Sequence, residues 1–244
     1  MGVPIYDVTM DETVDWITRW IAHRGPAQIV TVNPEFLMRA RHDLGFLTAL
    51  RQAHLCIPDG IGVVWAARRR GFRLRERVAG SDLVPRLAQE AAVRGWRVFL
   101  LGAAPGVAEK AAAVLVEQHP DLQIAGCYAG SPAVEEETAI AKRISQSQSD
   151  LLFVAYGAPK QDLWLDRNLH RTGAAVGIGV GGSFDFIAGI SRRAPRWVQR
   201  IGLEWLYRLM QEPKRWRRQL ALPHFALLVL LGLDRPQGQP TETH

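Results

Sequence analysis

Cysteine is scarce in this chain: Cys56 and Cys127 are the two in 244 residues, far apart and without metal or redox spacing. A disulfide framework and a zinc-ribbon module are both excluded, and two ordinary reduced thiols are expected. Long apolar runs are missing too. A spanning helix needs roughly 20 apolar residues, whereas the longest run here, Leu220 to Leu233, is interrupted by Pro223 and His224. Such a run suits a groove or the lipid interface. The opening MGVPIYDVTMDETVDW has neither a charged n-region nor an apolar h-region, so a secretory signal is not expected. Tyr6 stands where a myristoylation motif wants Ser or Thr. No internal repeat is visible. No pair of acids in a D-x-D arrangement ends a predicted strand, and no His/Cys/Asp cluster has metal spacing. The expected site is therefore metal-free and needs no cofactor.

What is present is ordinary in bulk and uneven in detail. Hydrophobic content of 48% and charged content of 22% fit a soluble globular protein. The length suits one α/β domain with an appendage. The net charge is +6, but residues 186–218 carry nine Lys/Arg against two acids, leaving about −1 elsewhere. Trp197, Trp205, Tyr207 and Trp216 are interleaved with those cations. Basic residues with tryptophan are the habit of interfacial helices, though a solvated basic face over an aromatic core contact is the plain alternative. Arg208, Arg215 and Arg218 are spaced by seven and three, which puts them on one helical face unless Pro213 interrupts it.

Short β-rich runs alternate with helical patterns, the signature of a mainly parallel sheet covered by helices. Gln28 to Val32, Val98 to Leu101, Leu151 to Tyr156 and Ala175 to Val180 read as strands, with His54 to Ile57 a weaker one. Helices are expected around Val14, Ile17 and Ile21 before Gly25, and around Leu83, Leu87 and Ala91, capped by Ser81 and ended by Gly95. Others carry Val107 to Leu115 (stopped at Pro120), Ile140 with Ile144, and Leu165 with Leu169. The expected division is a Rossmann-like core over 1–191, a basic, aromatic helical appendage over 192–233, and a disordered tail over 234–244.

In an open parallel sheet, ligands bind outside the carboxyl ends of the strands. The unusual residues fall there: Thr31 and Asn33, Asp59 and Gly60, Gly102 and Gly106, Tyr156, Gly157, Lys160 and Gln161, and Gly181, Gly182 and Asp185. Asp59 can accept a proton from a hydroxyl as a general base, or simply make an Asx turn with Gly60. The Gly102–Gly106 turn can hold a phosphate at a helix N-terminus or be a tight turn alone. Gln161 can donate through its amide, and Asp185 can accept from a base or ribose or cap a short helix. Arg77, ahead of Gly80-Ser81-Asp82, can clamp a diphosphate bidentately or sit as a surface charge.

At this point the motifs match something specific. TVNPEF, PDGIGVVWAAR, RVAGSD, LLGAAPG, VAYGAPKQDLW, GVGGSFDFIAG, RRAPRWVQRIGLEWLYRL and EPKRWRR, over about residues 2 to 220, resemble the WecG/TagA/CpsF family of bacterial glycosyltransferases. The resemblance implies a Rossmann-like core and metal-independent, inverting transfer from a UDP-sugar to a lipid-diphosphate-linked sugar. It places that reaction on the cytoplasmic membrane face, in cell-surface polysaccharide or teichoic-acid-type synthesis. In the best-known members the donor sugar is N-acetylmannosamine or its uronic acid. By motif position it makes Asp59 the general base. Thr31, Asn33, Arg77 and Gln161 would then line the substrate pocket. Asp185, Tyr156 and the turns at Gly102, Gly106, Gly157, Gly181 and Gly182 would hold UDP. Arg208, Arg215 and Arg218 would reach the diphosphates.

Two readings of other classes compete. A nicotinamide-dependent oxidoreductase would explain glycine turns after strands, but the G-x-G-x-x-G spacing and its acidic ribose ligand are missing. A nucleic-acid binder would explain the basic, aromatic segment but not the strand ends, so no nucleic-acid partner is expected. The donor sugar, acceptor sugar, linkage and oligomeric state stay open, a homo-oligomer included.

Overall fold

The computed structural model describes residues 1–200, 204–211 and 216–234, leaving aside the side chains of Arg196, Arg200, Arg208, Arg217 and Arg218. Its centre is a six-stranded, all-parallel sheet. In chain order the strands are β1 (Ala27–Val32), β2 (Leu55–Pro58), β3 (Arg97–Gly102), β4 (Gln123–Tyr128), β5 (Leu151–Ala155) and β6 (Val176–Gly179). Across the sheet they run β2-β1-β6-β5-β3-β4. The α/β class and its Rossmann-like character are thus as predicted. Five of the strands were legible as apolar runs, as strands covered on both faces should be. β4 was not: it is an edge strand of partly buried residues with no fully buried position.

Helices cover both faces. One layer holds α1 (Met10–His23), α5 (Gly80–Arg94), α6 (Val107–Gln118) and the short α9 (Ser183–Ile187), packed by Ile17, Leu83, Leu87, Ala111 and Phe184 against Ile29, Leu100, Phe153 and Ile178. On the other face α2 (Pro34–Ala40), α3 (Leu44–Gln52) and α4 (Ile61–Arg69) meet Val30 and Val32. Beyond them α7 (Val134–Ser147) and α8 (Lys160–Thr172) cover Leu152 and Val154. The helix signals are local. Thr9 and Glu12 form a reciprocal capping box for α1, and Gly95 ends α5 in the left-handed conformation. The expected Ser81 cap is corrected: α5 begins two residues earlier, with Ala79 at the N-cap and no side-chain cap.

After α9 the chain makes α10 (Arg196–Arg200), α11 (Glu204–Gln211), α12 (Trp216–Gln219) and α13 (Ala221–Leu231), with no strand among the described residues between them. α13 packs against α2 and α4, and its Phe225, Leu228 and Val229 are buried in the same cluster as Phe36 and Val63. Its other side leaves Leu227, Leu230 and Leu231 exposed. Asp234 closes this end on the body of the protein, pairing with Arg70 and accepting from the Met1 amine through its carbonyl. The rest of the predicted tail, 235–244, lies outside the described residues.

Candidate active site

The carboxyl ends of β1, β2 and β6 open into a cavity of about 720 Å³. Thr31, Asn33, Asp59, Arg77, Gly157, Gln161, Gly181 and Gly182 all line it, so most of the predicted strand-end residues do converge. Gly80, Ser81 and Ser183 join them from α5 and α9. The remaining wall comes from helices and is mostly apolar, with Ile61 and Trp65 of α4, Trp205 and Leu209 of α11, Trp216 of α12, and Leu222, Pro223 and Phe225 of α13, and it also carries Glu35, Glu204 and Gln219.

Asp59 is fixed by its backbone. Its N–H donates to the Val32 carbonyl at 2.8 Å, extending the β1–β2 ladder by one residue, and its Oδ2 accepts from the Gly80 N–H at 3.4 Å. Gly60, at φ 108°, is the N-cap of α4, and the Asp59 carboxylate is turned to the start of α5. Burial pushes the Asp59 carboxyl up to about 6; Arg77 and the Gly80 N–H pull it down, while Glu204 and Asp82 add to the rise. A carboxylate poised there is ionised at neutral pH and more basic than an exposed one, as proton abstraction requires.

The neighbours are held with similar economy. Thr31, almost fully buried, donates from Oγ1 to the Gly179 carbonyl at 3.3 Å. Asn33 caps α2 by accepting from the Phe36 N–H at 3.2 Å, so what it offers a ligand is its amide N–H. Gln161 lines the cavity and has a second role. It is 2% exposed, and its Oε1 accepts from Gly157 N at 3.1 Å and Gly181 N at 3.0 Å. It ties the turns after β5 and β6 together and thereby shapes the cavity floor. Beneath it Asp162 is fully buried, and burial pushes that carboxyl up to about 8. Gln161 lies close enough to favour the charged form, yet among the described residues no hydrogen bond of ordinary geometry reaches either Asp162 carboxylate oxygen. The added Cβ of an alanine at Gly179 would lie 2.5 Å from Gln161 Nε2 and 2.7 Å from Asp162 Oδ1, so this floor demands glycine.

Other predicted residues fall elsewhere. Gly102, Gly106, Tyr156 and Asp185 do not line the cavity. The Tyr156 ring packs edge-on to Trp164 at 6.4 Å, against the cluster under α7 and α8. Period-2 alternation along β5 puts it on the face of Leu152 and Val154. Gly102, at φ 99°, lets β3 approach β5: an added Cβ would sit 2.9 Å from the Ala155 carbonyl carbon. Gly106, at φ 81°, begins α6, and α9, which carries Asp185, packs against α6. Arg215 lies outside the described residues, as do the side chains of Arg208 and Arg218.

The sequence missed an ionic ring beside the cavity. Arg77 Nη1 meets Glu204 Oε2 at 3.1 Å, Arg193 Nε meets Glu204 Oε1 at 3.2 Å, and Arg193 Nη2 donates to Asp82 Oδ2 at 2.8 Å. Arg77 Nη2 stands 3.7 Å from Asp82 and closes it. The available signal was Glu204 itself, one of two acids in a segment of nine cations. Both thiols are free, with burial pushing Cys56 up to about 12 and Cys127 to about 11, so neither is a nucleophile. Among the described residues no group of three or more His, Cys, Asp or Glu is placed to hold a metal ion, and no helix is long and apolar enough to cross a membrane.

Comparison with known proteins adds a consistent picture. The model of the "Glycosyl transferase WecG/TagA/CpsF family" matches residues 1–238. An N-acetylglucosaminyldiphosphoundecaprenol N-acetyl-beta-D-mannosaminyltransferase of Bacillus subtilis (strain 168) is 37% identical over 230 residues, covering 94% of this chain and 89% of that protein. Proteins of the same name from Bacillus spizizenii (37% identity; 93% of this chain, 87% of that protein) and Staphylococcus aureus strain MW2 (34%; 92% and 89%) are also similar.

Proposed function

Because the chain belongs to the WecG/TagA/CpsF family of glycosyltransferases, we propose that it transfers an N-acetylmannosamine-type sugar from a UDP-sugar to a polyprenyl-diphosphate-linked sugar. The acceptor class and transferred sugar follow the names of its relatives. One observation carries the reading: Asp59, with raised proton affinity, sits in a cavity polar at the strand ends and apolar along α4 and α11–α13. The polar side suits sugar hydroxyls and a diphosphate. The apolar side suits the first units of a prenyl chain.

The proposed step is a single, inverting displacement. The acceptor hydroxyl oxygen bonds to the anomeric carbon as its proton passes to Asp59. The bond from that carbon to UDP breaks, and UDP departs with the electron pair. Cationic side chains (Arg77 in the cavity, and Arg208, Arg215 and Arg218 by family motif) and backbone N–H groups stabilise the charge on the diphosphates, with no metal or cofactor assigned. We place UDP at the crevice between β3 and β5, beside Gly102, Gly106, Gly157 and Asp185. There β3 leads on to β4 on one side and β5 to β6 on the other, the switch point where open α/β sheets take nucleotides.

The protein acts peripherally, on the cytoplasmic membrane face where nucleotide sugars are available. Support comes from the excess of cations in the sequence of 186–218 and, separately, from the exposed Leu227, Leu230 and Leu231. Each Lys or Arg near an anionic surface gains about 1 kcal/mol. The test is a panel of UDP-sugars with a prenyl-diphosphate-linked N-acetylglucosamine acceptor, products resolved by mass. The expected result is one added N-acetylhexosamine with release of UDP. No product from any UDP-sugar would overturn the reading.

A further inference from the structure

The ionic ring joins the C-terminal helices to the core, and its two arms are unequal. Arg193 grips Asp82 through both terminal nitrogens, one of them at 2.8 Å, and that contact holds the guanidinium well above its ordinary value. Neither Arg193 nor Asp82 lines the cavity. The other arm does face it. Arg77 and Glu204 both line the wall, joined by one hydrogen bond of 3.1 Å, and Arg77 stands a loose 3.7 Å from Asp82. Their side chains are 23% and 26% exposed, so water already reaches the pair. Partly solvated single contacts of this kind are weak. A diphosphate offers more charge and a bidentate oxygen pair that matches the guanidinium fork.

We propose that Glu204 is a residue of the acceptor site, supplied by α11, whose carboxylate occupies Arg77 as a stand-in for the acceptor's diphosphate and yields that guanidinium when the diphosphate arrives. The ring is built for such an exchange. Glu204 keeps its second partner, Arg193 Nε at 3.2 Å, so α11 stays fastened to the core through Arg193 and Asp82 while Arg77 changes partner. Glu204 is thus a positioning residue: it keeps Arg77 at the cavity wall and competes for it. The inference rests on the diphosphate-acceptor reading above.

The experiment uses the full chain and reads inorganic diphosphate binding by calorimetry, with no sugar transfer involved. Glu204→Gln keeps the shape and removes the competing charge, so affinity should rise about two- to fivefold, the worth of one partly exposed ion pair. Glu204→Asp, with a shorter reach, should gain less. In an Arg77→Gln background the Glu204→Gln substitution should bring no gain. The Michaelis constant for the lipid-linked acceptor should fall in parallel in Glu204→Gln. A residue that merely fastened α11 would give the reverse, because losing it would loosen the wall and weaken binding. Unchanged or weaker diphosphate affinity in a folded Glu204→Gln or Glu204→Asp protein would overturn the proposal. Tighter diphosphate binding without any sugar transfer would instead leave the stand-in role intact and count against the transferase reading.

Discussion

The two halves of the sheet's carboxyl rim use the same residue types for different ends. Over β2, β1 and β6, the strand ends deliver Thr31, Asp59 and the Gly181–Gly182 turn into one cavity, whose wall holds a carboxylate and an arginine. Over β5 and β3, the glycine at 102 is consumed by the backbone, letting two strands approach, and Tyr156 turns away into the core. A glycine after a strand is therefore ambiguous in a way that an aspartate at a strand end is not. Glycine removes a side chain, which serves strand packing as readily as a phosphate. Burying a carboxylate costs free energy unless it is paired or protonated, so a buried aspartate at a strand end asks for an account that a glycine does not.

That contrast is sharpest at Asp59. Asp59→Asn removes the base while keeping the shape, and turnover should fall by about 10²- to 10⁴-fold, with UDP binding retained. Steady-state kinetics with a UDP titration measures both. Parallel loss of UDP binding would merge the two halves of the rim into one site.

Asp162 carries the next effect, on stability. Its carboxyl titrates from 3.8 in a model peptide to about 8 in the fold. Between those values the folded protein holds a proton that the unfolded chain has released. Stability should therefore fall with rising pH across that window, by up to about 1.4 kcal/mol per unit, and be fully present below about 4. Asp162→Asn should remove that dependence and gain on the wild type steadily from pH 5 to 8 in urea melts. Parallel curves for the two proteins would mean the carboxyl finds a partner on folding.

Gly102→Ala probes the other half of the rim. Strain at φ 99° and the contact with Ala155 should cost about 1–3 kcal/mol. A shift in melting alone would confine this turn to strand packing, whereas a raised Michaelis constant for the UDP-sugar would support the nucleotide crevice.

Much of this was written locally. Apolar runs gave five strands because buried parallel strands tolerate few polar residues, and the partly exposed β4 escaped for the same reason. Asp59, Thr31 and Asn33 were legible because parallel topology gathers strand ends on one rim whatever their separation in the chain. Gln161 was legible as a site residue but not as a tie between turns, since that role depends on Gly157 and Gly181 reaching one oxygen. The ring of Arg77, Asp82, Arg193 and Glu204 was beyond the sequence, because it forms only when α11 folds back over the core.

The most direct test of the base assigned to Asp59 is the pH dependence of kcat/KM with a saturating partner substrate. A base must be deprotonated, and burial holds this one at about 6. The rate should rise through a single acid limb centred near pH 6 that disappears in Asp59→Asn. A wild-type profile flat down to pH 4.5, or the same limb persisting in the variant, would contradict the account.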